Sequence, residues 1–204
     1  MNPEIRNFLR KLEDHARIHD AREPEHSRKL LNLEPQTAEL VSIFARSSRA
    51  RRILEIGTSN GYSAIWLAAS VGQDGGRIIS IDRSQEKHKL AHENLVATGL
   101  LQHVDLRLGD ATDVIKTLSG PFDFVFFDAD RTSAPGQLTL LLPKLAPQAL
   151  VLADNALSHP EEIHGYLSMV KNLNQFQHVV IPVGKGLSVA FADTRLKNSS
   201  VKIG

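Results

Sequence analysis

Short, dense apolar runs alternate along this chain with stretches in which apolar residues return every three or four positions. The first rhythm suits strands buried on both faces, the second suits helices with one buried face. The first dense run is Ile53 to Ile56. It breaks at Gly57 into a loop with a second glycine, Gly61, and Tyr62, Ala64, Ile65, Leu67 and Ala68 then recur at helical spacing. Strand, glycine loop and helix together form the opening unit of a nucleotide-binding α/β sheet.

The same alternation continues to the end of the chain. Residues 77–81 form a strand closed by Asp82, and a helix over 84–98 ends at Gly99. Residues 104–108 alternate apolar and polar, as an edge or half-covered strand does, and lead through Gly109 and Asp110 into a helix ending near Leu118. Residues 122–127 are almost continuously apolar, which predicts a central strand. Leu138, Leu141, Leu142 and Leu145 mark a helix closed by Pro147, and a strand over 149–153 follows. Ser158 with Glu161 reads as a capping box for a helix that buries Ile163, Tyr166, Leu167 and Val170. Residues 177–183 and 187–192 form an antiparallel hairpin around Gly184 and Gly186.

Two helices precede the first strand. Asn2 and Pro3 start one whose stripe is Ile5, Phe8, Leu9 and Leu12, facing either the core's edge or a partner subunit. A polar loop over 20–29 follows, and Pro35 then opens a helix to residue 46 with Leu40, Val41, Ile43 and Phe44 as its apolar face. The expected fold is α/β: a Rossmann-like, doubly wound, mostly parallel seven-stranded sheet with an antiparallel C-terminal hairpin strand and extra N-terminal helices. It is read as one domain over residues 1–204, with a helical segment (1–50), a nucleotide-binding core (51–193) and a polar tail (194–204).

Composition narrows the chemistry. At 204 residues there is room for one such domain, and 42% hydrophobic with 23% charged residues is a globular balance. A formal net charge of +1 gives no global pull on nucleic acid. Arg46, Arg49, Arg51 and Arg52 do cluster, either as solvated charges or as a local RNA-binding feature. With no cysteine, any metal must be held by oxygen or imidazole. No signal-peptide core and no run of about 18 apolar residues occurs, so a soluble cytoplasmic protein without membrane partners is expected.

The glycine loop reads G-x-x-x-G, not the G-x-G-x-x-G of a dinucleotide site, and no lysine follows Gly61 as in a P-loop. It suits a nucleoside without a phosphate chain, and Asp82 stands where a carboxylate accepts both ribose hydroxyls. Gly57, Asp82, Asp110, Asp128, Asp154 and Asn155 all fall at carboxyl ends of strands, where ligands bind in open α/β sheets. Any one of these acids could simply cap the next helix. Asp128 and the pair Asp154-Asn155, however, close two strands that the βαβ pattern makes neighbours. Converging carboxylates repel unless a cation joins them, and two carboxylates with an amide oxygen suit Mg²⁺, or Ca²⁺ or Mn²⁺.

Four segments, LEIGTSNGYSAIWLA (54–68), IISID (78–82), DFVFFDAD (123–130) and VLADNA (151–156), occur in an order that resembles the cation-dependent O-methyltransferases, which include catechol and caffeoyl-CoA O-methyltransferases. The resemblance runs from about Leu31 to Ala192. It implies S-adenosylmethionine as cofactor and Asp128, Asp154 and Asn155 as ligands of a divalent cation. It places Gly57, Thr58, Ser59 and Gly61 at the methionine end, with Tyr62 and Ser63 from the helix start. Glu55 is either a water-mediated contact to the methionine amine or a structural acid. Asp82 takes the ribose, with Arg83 beside it. Asp110, Ala111 and Thr112 lie near the adenine amine, a role compatible with capping the next helix. Asp128 also borders the cofactor, and residues 31–37 lie over cofactor and substrate. A small hydroxylated acceptor, such as a phenol with adjacent hydroxyls, and a homodimer are implied as well.

The chain departs from that family in three places. Arg131 stands where relatives carry a lysine proposed as general base, and Ala134 where they carry a tyrosine. Arginine stays protonated, so Arg131 either anchors an anionic part of the acceptor, stabilises its oxyanion, or pairs with Asp130. Metal activation then suffices, or His159 accepts the proton, unless His159 is a surface residue at the helix start. Lys185 stands where relatives often carry an acid, so catechol and caffeoyl-CoA do not carry over as substrates. Rival readings are a tRNA hydroxyuridine O-methyltransferase and a non-catalytic S-adenosylmethionine-binding module. A dehydrogenase is disfavoured by the glycine spacing.

Overall fold

The computed structural model describes residues 1–193. Helices α1 (Pro3–Arg22) and α2 (Pro35–Ser47) precede β1 (Arg52–Ile56), α3 (Tyr62–Val71), β2 (Arg77–Asp82), α4 (Gln85–Ala97) and β3 (Val104–Leu108). Then come α5 (Ala111–Thr117), β4 (Phe122–Phe127), α6 (Ala134–Leu141), β5 (Leu145–Ala153), α7 (Pro160–Asn172), β6 (Phe176–Ile181) and β7 (Leu187–Ala192). The seven strands form one sheet in the order β3-β2-β1-β4-β5-β7-β6. β1 to β5 run parallel, while β7 lies antiparallel to both β5 and β6. The expected doubly wound architecture is therefore present, and the expected tail lies outside the described residues.

Period-two alternation divides the core into two layers. Ile53, Phe124 and Phe126 face the layer built with α1, α2 and α3. Leu54, Ile56, Val125 and Phe127 face the layer built with α5, α6 and α7. The stripe of α1 packs on the core: Leu9, Leu12 and Ala16 are buried, Ile5 and Phe8 are half-buried against the same layer, and Glu13 accepts a hydrogen bond from the Tyr62 hydroxyl at 2.6 Å.

Local patterning misled at three points. α2 buries Thr37, Ala38, Val41, Ser42 and Ala45, while Ile43 is 55% exposed. Small residues let α2 approach α3 closely, which turns the bulkier ones toward its flanks. Leu145 and Pro147 belong to β5, not to the preceding helix. Phe122 pairs with Leu145 but Phe124 pairs with Leu150, so β5 bulges around Pro147 and Gln148, the latter at φ 67°. A bulge is where a strand tolerates a residue without an N–H. The capping box is also absent: His159 is the N-cap of α7 and no side chain caps it. The Ser158 hydroxyl instead donates to Asn155 Oδ1 at 3.1 Å.

Candidate active site

The parallel ladder continues one residue past the strand tips and sets the site residues in line. Gly57 N–H donates to Ile81 O, Asp128 N–H to Ile56 O, and Asp154 N–H to Phe127 O, at 2.8 to 3.0 Å. Gly57 has φ 106°, and a Cβ there would stand 2.2 Å from Asp128 O, so only glycine allows the tips of β1 and β4 to approach this closely.

Above these tips opens a cavity of about 920 Å³. It gathers Gly57, Ser59, Asp82 and Arg83, then Asp110 and Ala111, and at its other end Asp128, Arg131, Asp154, Asn155 and His159. Six expected residues, Glu55, Thr58, Gly61, Tyr62, Ser63 and Thr112, lie outside this lining. Thr58 Oγ1 is buried against Ser80 Oγ at 2.6 Å. Gly61, at φ 84°, starts α3 against Ala91 of α4. Tyr62 points its hydroxyl at α1, and Ser63 is buried. Thr112 begins α5.

At the nucleoside end, each Asp82 oxygen accepts one backbone N–H, from Ser59 and from Ser84, both at 2.8 Å. The carboxylate is thereby fixed between the glycine loop and α4. Asp110 caps α5 by accepting from Thr112 N–H at 2.8 Å and Asp113 N–H at 3.3 Å, and it also lines the cavity. Glu55 is fully buried beneath the loop and accepts a hydrogen bond from Ser80 at 2.5 Å. Burial pushes its carboxyl up to about 7, against the hydrogen bonds of Ser63 and Ser80 and with the charge of Asp82.

At the other end the acids crowd together. Burial pushes Asp154 up to about 6; the backbone of Asn155 opposes this, Glu34 adds to it, and the cations of Lys185 and Arg131 oppose it. Asp128 is raised well above the carboxylate range by burial and then by the charge of Asp154. Asp154 is 4% exposed, and its Oδ1 has no hydrogen-bond partner. Asn155, at φ 66°, donates through Nδ2 to Asp154 Oδ2 at 2.7 Å. Among the described residues no three His, Cys, Asp or Glu side chains converge as metal ligands. A cation here therefore needs the Asn155 amide oxygen beside the two carboxylates. An unpartnered buried oxygen and an all-oxygen donor set fit a hard cation.

Arg131 does not pair with Asp130. Its Nε and Nη2 both reach Glu162 Oε2, at 2.8 and 2.6 Å, while Asp130 is occupied by Thr132 and Ser133. Sequence reasoning missed Glu34 and the part Lys185 plays. Lys185 Nζ meets Glu34 Oε1 at 3.1 Å, and the Lys185 carbonyl accepts Leu157 N–H at 2.9 Å, tying the last turn to the loop after Asp154. Only spatial neighbourhood reveals that link. The cover over the cavity also lies further upstream than residues 31–37: Leu30, Leu31 and the stretch from His26 to Arg28 line it. Asp20 holds this cover by accepting Leu30 and Leu31 N–H at 2.7 and 2.8 Å. The arginine cluster stands at the start of β1, roughly 17 Å of strand away from Gly57. Among the described residues, no helix is long and apolar enough to cross a membrane.

A family model described as O-methyltransferase matches residues 11–204. A catechol O-methyltransferase of Niastella koreensis is 31% identical over 131 residues, covering 62% of this chain and 59% of its own length. A catechol O-methyltransferase of Mycobacterium tuberculosis is 33% identical over 123 residues, covering 60% and 56%. The match thus spans less than two thirds of either relative. Among solved structures, the O-methyltransferase TomG from Streptomyces achromogenes, in complex with SAM, has a TM-score of 0.77 and 30% identity, covering 91% of this chain and 89% of TomG.

Proposed function

Because the chain belongs to the O-methyltransferase family, we propose that it transfers a methyl group from S-adenosylmethionine to a hydroxyl of a small, multiply hydroxylated acceptor, with a divalent cation held by Asp128, Asp154 and Asn155. The observation that carries this reading is Asp154 Oδ1, a buried carboxylate oxygen with no partner in the wall that also holds Asp128. Such an atom calls for a partner, and a bound cation would supply one. Mg²⁺ is the first choice for these donors, and Ca²⁺ or Mn²⁺ suits them too. When bound, the cation lowers the pKa of an acceptor hydroxyl; S-adenosylmethionine supplies the electrophilic methyl group.

The protein's own part is alignment and exclusion of water. Gly57 gives the methionine end an approach free of Cβ. Asp82, held by two backbone N–H groups, keeps lone pairs for the ribose hydroxyls. Arg131 is locked to Glu162 and always charged, so it fixes a positive charge at the acceptor end and takes no proton. His159 lines that end with Nδ1 on Ser158 Oγ at 2.8 Å, which leaves Nε2 for the acceptor proton. A small acceptor is preferred over tRNA because the arginine cluster lies at the opposite end of β1 from the cavity.

A panel of catechols and hydroxylated nucleosides, assayed with S-adenosylmethionine and either magnesium or a chelator, tests this proposal. Magnesium-dependent methylation of a vicinal diol is expected. Product formed equally in chelator would remove the cation from the mechanism, and product only from nucleosides would replace the acceptor class.

A further inference from the structure

Among the described residues, two in the cavity wall carry a buried side-chain atom without a hydrogen-bond partner: Asp154 through Oδ1 and Gln137 through Oε1. The proposed cation accounts for the first. Gln137 needs another explanation. It sits in the first turn of α6, is 4% exposed, and is followed by the fully buried Leu138. Its Nε2 reaches Thr112 Oγ1 at 3.4 Å, long for an N–H···O bond. A half-turn of the amide exchanges oxygen and nitrogen, yet Thr112 can meet only one of them, so one end stays unsatisfied either way. A half-paired buried amide destabilises a fold, and an apolar side chain would fill the position at less cost.

The position indicates what completes the amide. Asp82 closes β2, where an acid meets ribose hydroxyls in sheets of this kind. A base on that ribose, leading away from Gly57, reaches the tip of β3, where Asp110 and Ala111 line the cavity and Thr112 follows. The 6-amino edge of adenine offers an N–H donor beside a ring-nitrogen acceptor, and a carboxamide is complementary to both. We infer that the Gln137 carboxamide accepts the 6-amino hydrogen of the bound adenine and is a specificity residue for that base. This rests on the cavity being an S-adenosylmethionine site.

Calorimetric titration of the apo protein with S-adenosylhomocysteine, and with its analogue bearing hydrogen in place of the 6-amino group, tests the inference. The wild type is expected to prefer the amino form by ~10-fold, the worth of one buried hydrogen bond. Gln137→Met, unbranched and similar in volume, is expected to weaken the amino form by ~10-fold and the analogue by less than ~3-fold, so that the preference collapses. The apo melting temperature of this variant should hold or rise, because the unsatisfied amide is gone. Wild-type affinity for S-adenosylhomocysteine in Gln137→Met would overturn the inference. So would equal weakening of both ligands with a lower apo melting temperature, which would make Gln137 a wall residue only. A wild type that binds neither ligand would overturn the cofactor reading itself, and with it this inference.

Discussion

At the strand starts, the Asp123 carboxylate accepts the backbone N–H groups of Arg51 and Arg52 at 2.8 and 3.0 Å. The Arg52 guanidinium donates to Ser119 O and Gly120 O and stacks 5.4 Å above the Phe122 ring. At the other tip of the same β4 strand, Asp128 faces Asp154, whose Oδ1 has no partner, and Glu55 lies buried nearby with its carboxyl pushed up to about 7. Both ends of β4 carry an aspartate. One is held by donors within the protein, and the other is pressed against a second acid, Asp154, whose Oδ1 is unpartnered. The difference separates a carboxylate that holds the sheet together from one that, in the proposed function, awaits a ligand.

Exchanging the two behaviours should break this contrast. The largest effect follows from the proposed cation role: Asp154→Asn is expected to lower methyl transfer by ~10³-fold. The apo protein should melt no lower than wild type, since a buried acid under repulsion is removed. Initial rates and thermal melts check both, and a large drop in apo melting temperature would show Asp154 to be structural.

A smaller effect sharpens the comparison through pH. The Glu55 carboxyl is raised from 4.5 to about 7 in the folded protein, so the unfolded chain binds fewer protons between those values. The contribution of Glu55 to stability is then complete below about pH 4.5, falls as pH rises, and is lost above about 7. The fall amounts to roughly 3 kcal/mol. Glu55→Gln should remove that part, so urea unfolding at pH 5 and pH 8 should show a smaller loss in the variant than in the wild type, the remainder coming from the raised Asp128 and Asp154. Equal pH slopes in the two proteins would contradict this origin.

The smallest effect lies at the Asp123 end. Asp123→Ala should cost about 2 kcal/mol of folding stability through two lost charge-assisted hydrogen bonds, with turnover per folded molecule unchanged. A fall in kcat without a fall in stability would erase the distinction between the two ends.

Much of this was legible in local sequence. The unbroken apolar run of β4 marks a central strand, and Gly57 and Gly61 mark the loop that opens the site. The alternation in 104–108 marks an edge or half-covered strand, and β3 lies at the edge. The errors were equally local in origin. Leucine spacing carried the helix α6 past its end into Leu145, because a bulged strand around a proline shows no two-residue period. Ile43 read as core because hydrophobicity, not the depth of approach to α3, was the only visible quantity. Invisible to any local pattern is the bond of the Tyr62 hydroxyl to Glu13 of α1, a partner 49 residues distant.

Taken alone, the sequence determined the kinds of element, their order, and which acids stand at strand ends, since these follow from side-chain periodicity and turn chemistry within a few residues. Tertiary structure alone decided that β7 inserts between β5 and β6, that Lys185 meets Glu34, that Arg131 is held by Glu162, and that Gln137 enters the cavity wall with half its amide unpaired. Each of these depends on surfaces brought together from distant parts of the chain. The energy of such meetings comes from packing and desolvation, which no local pattern records.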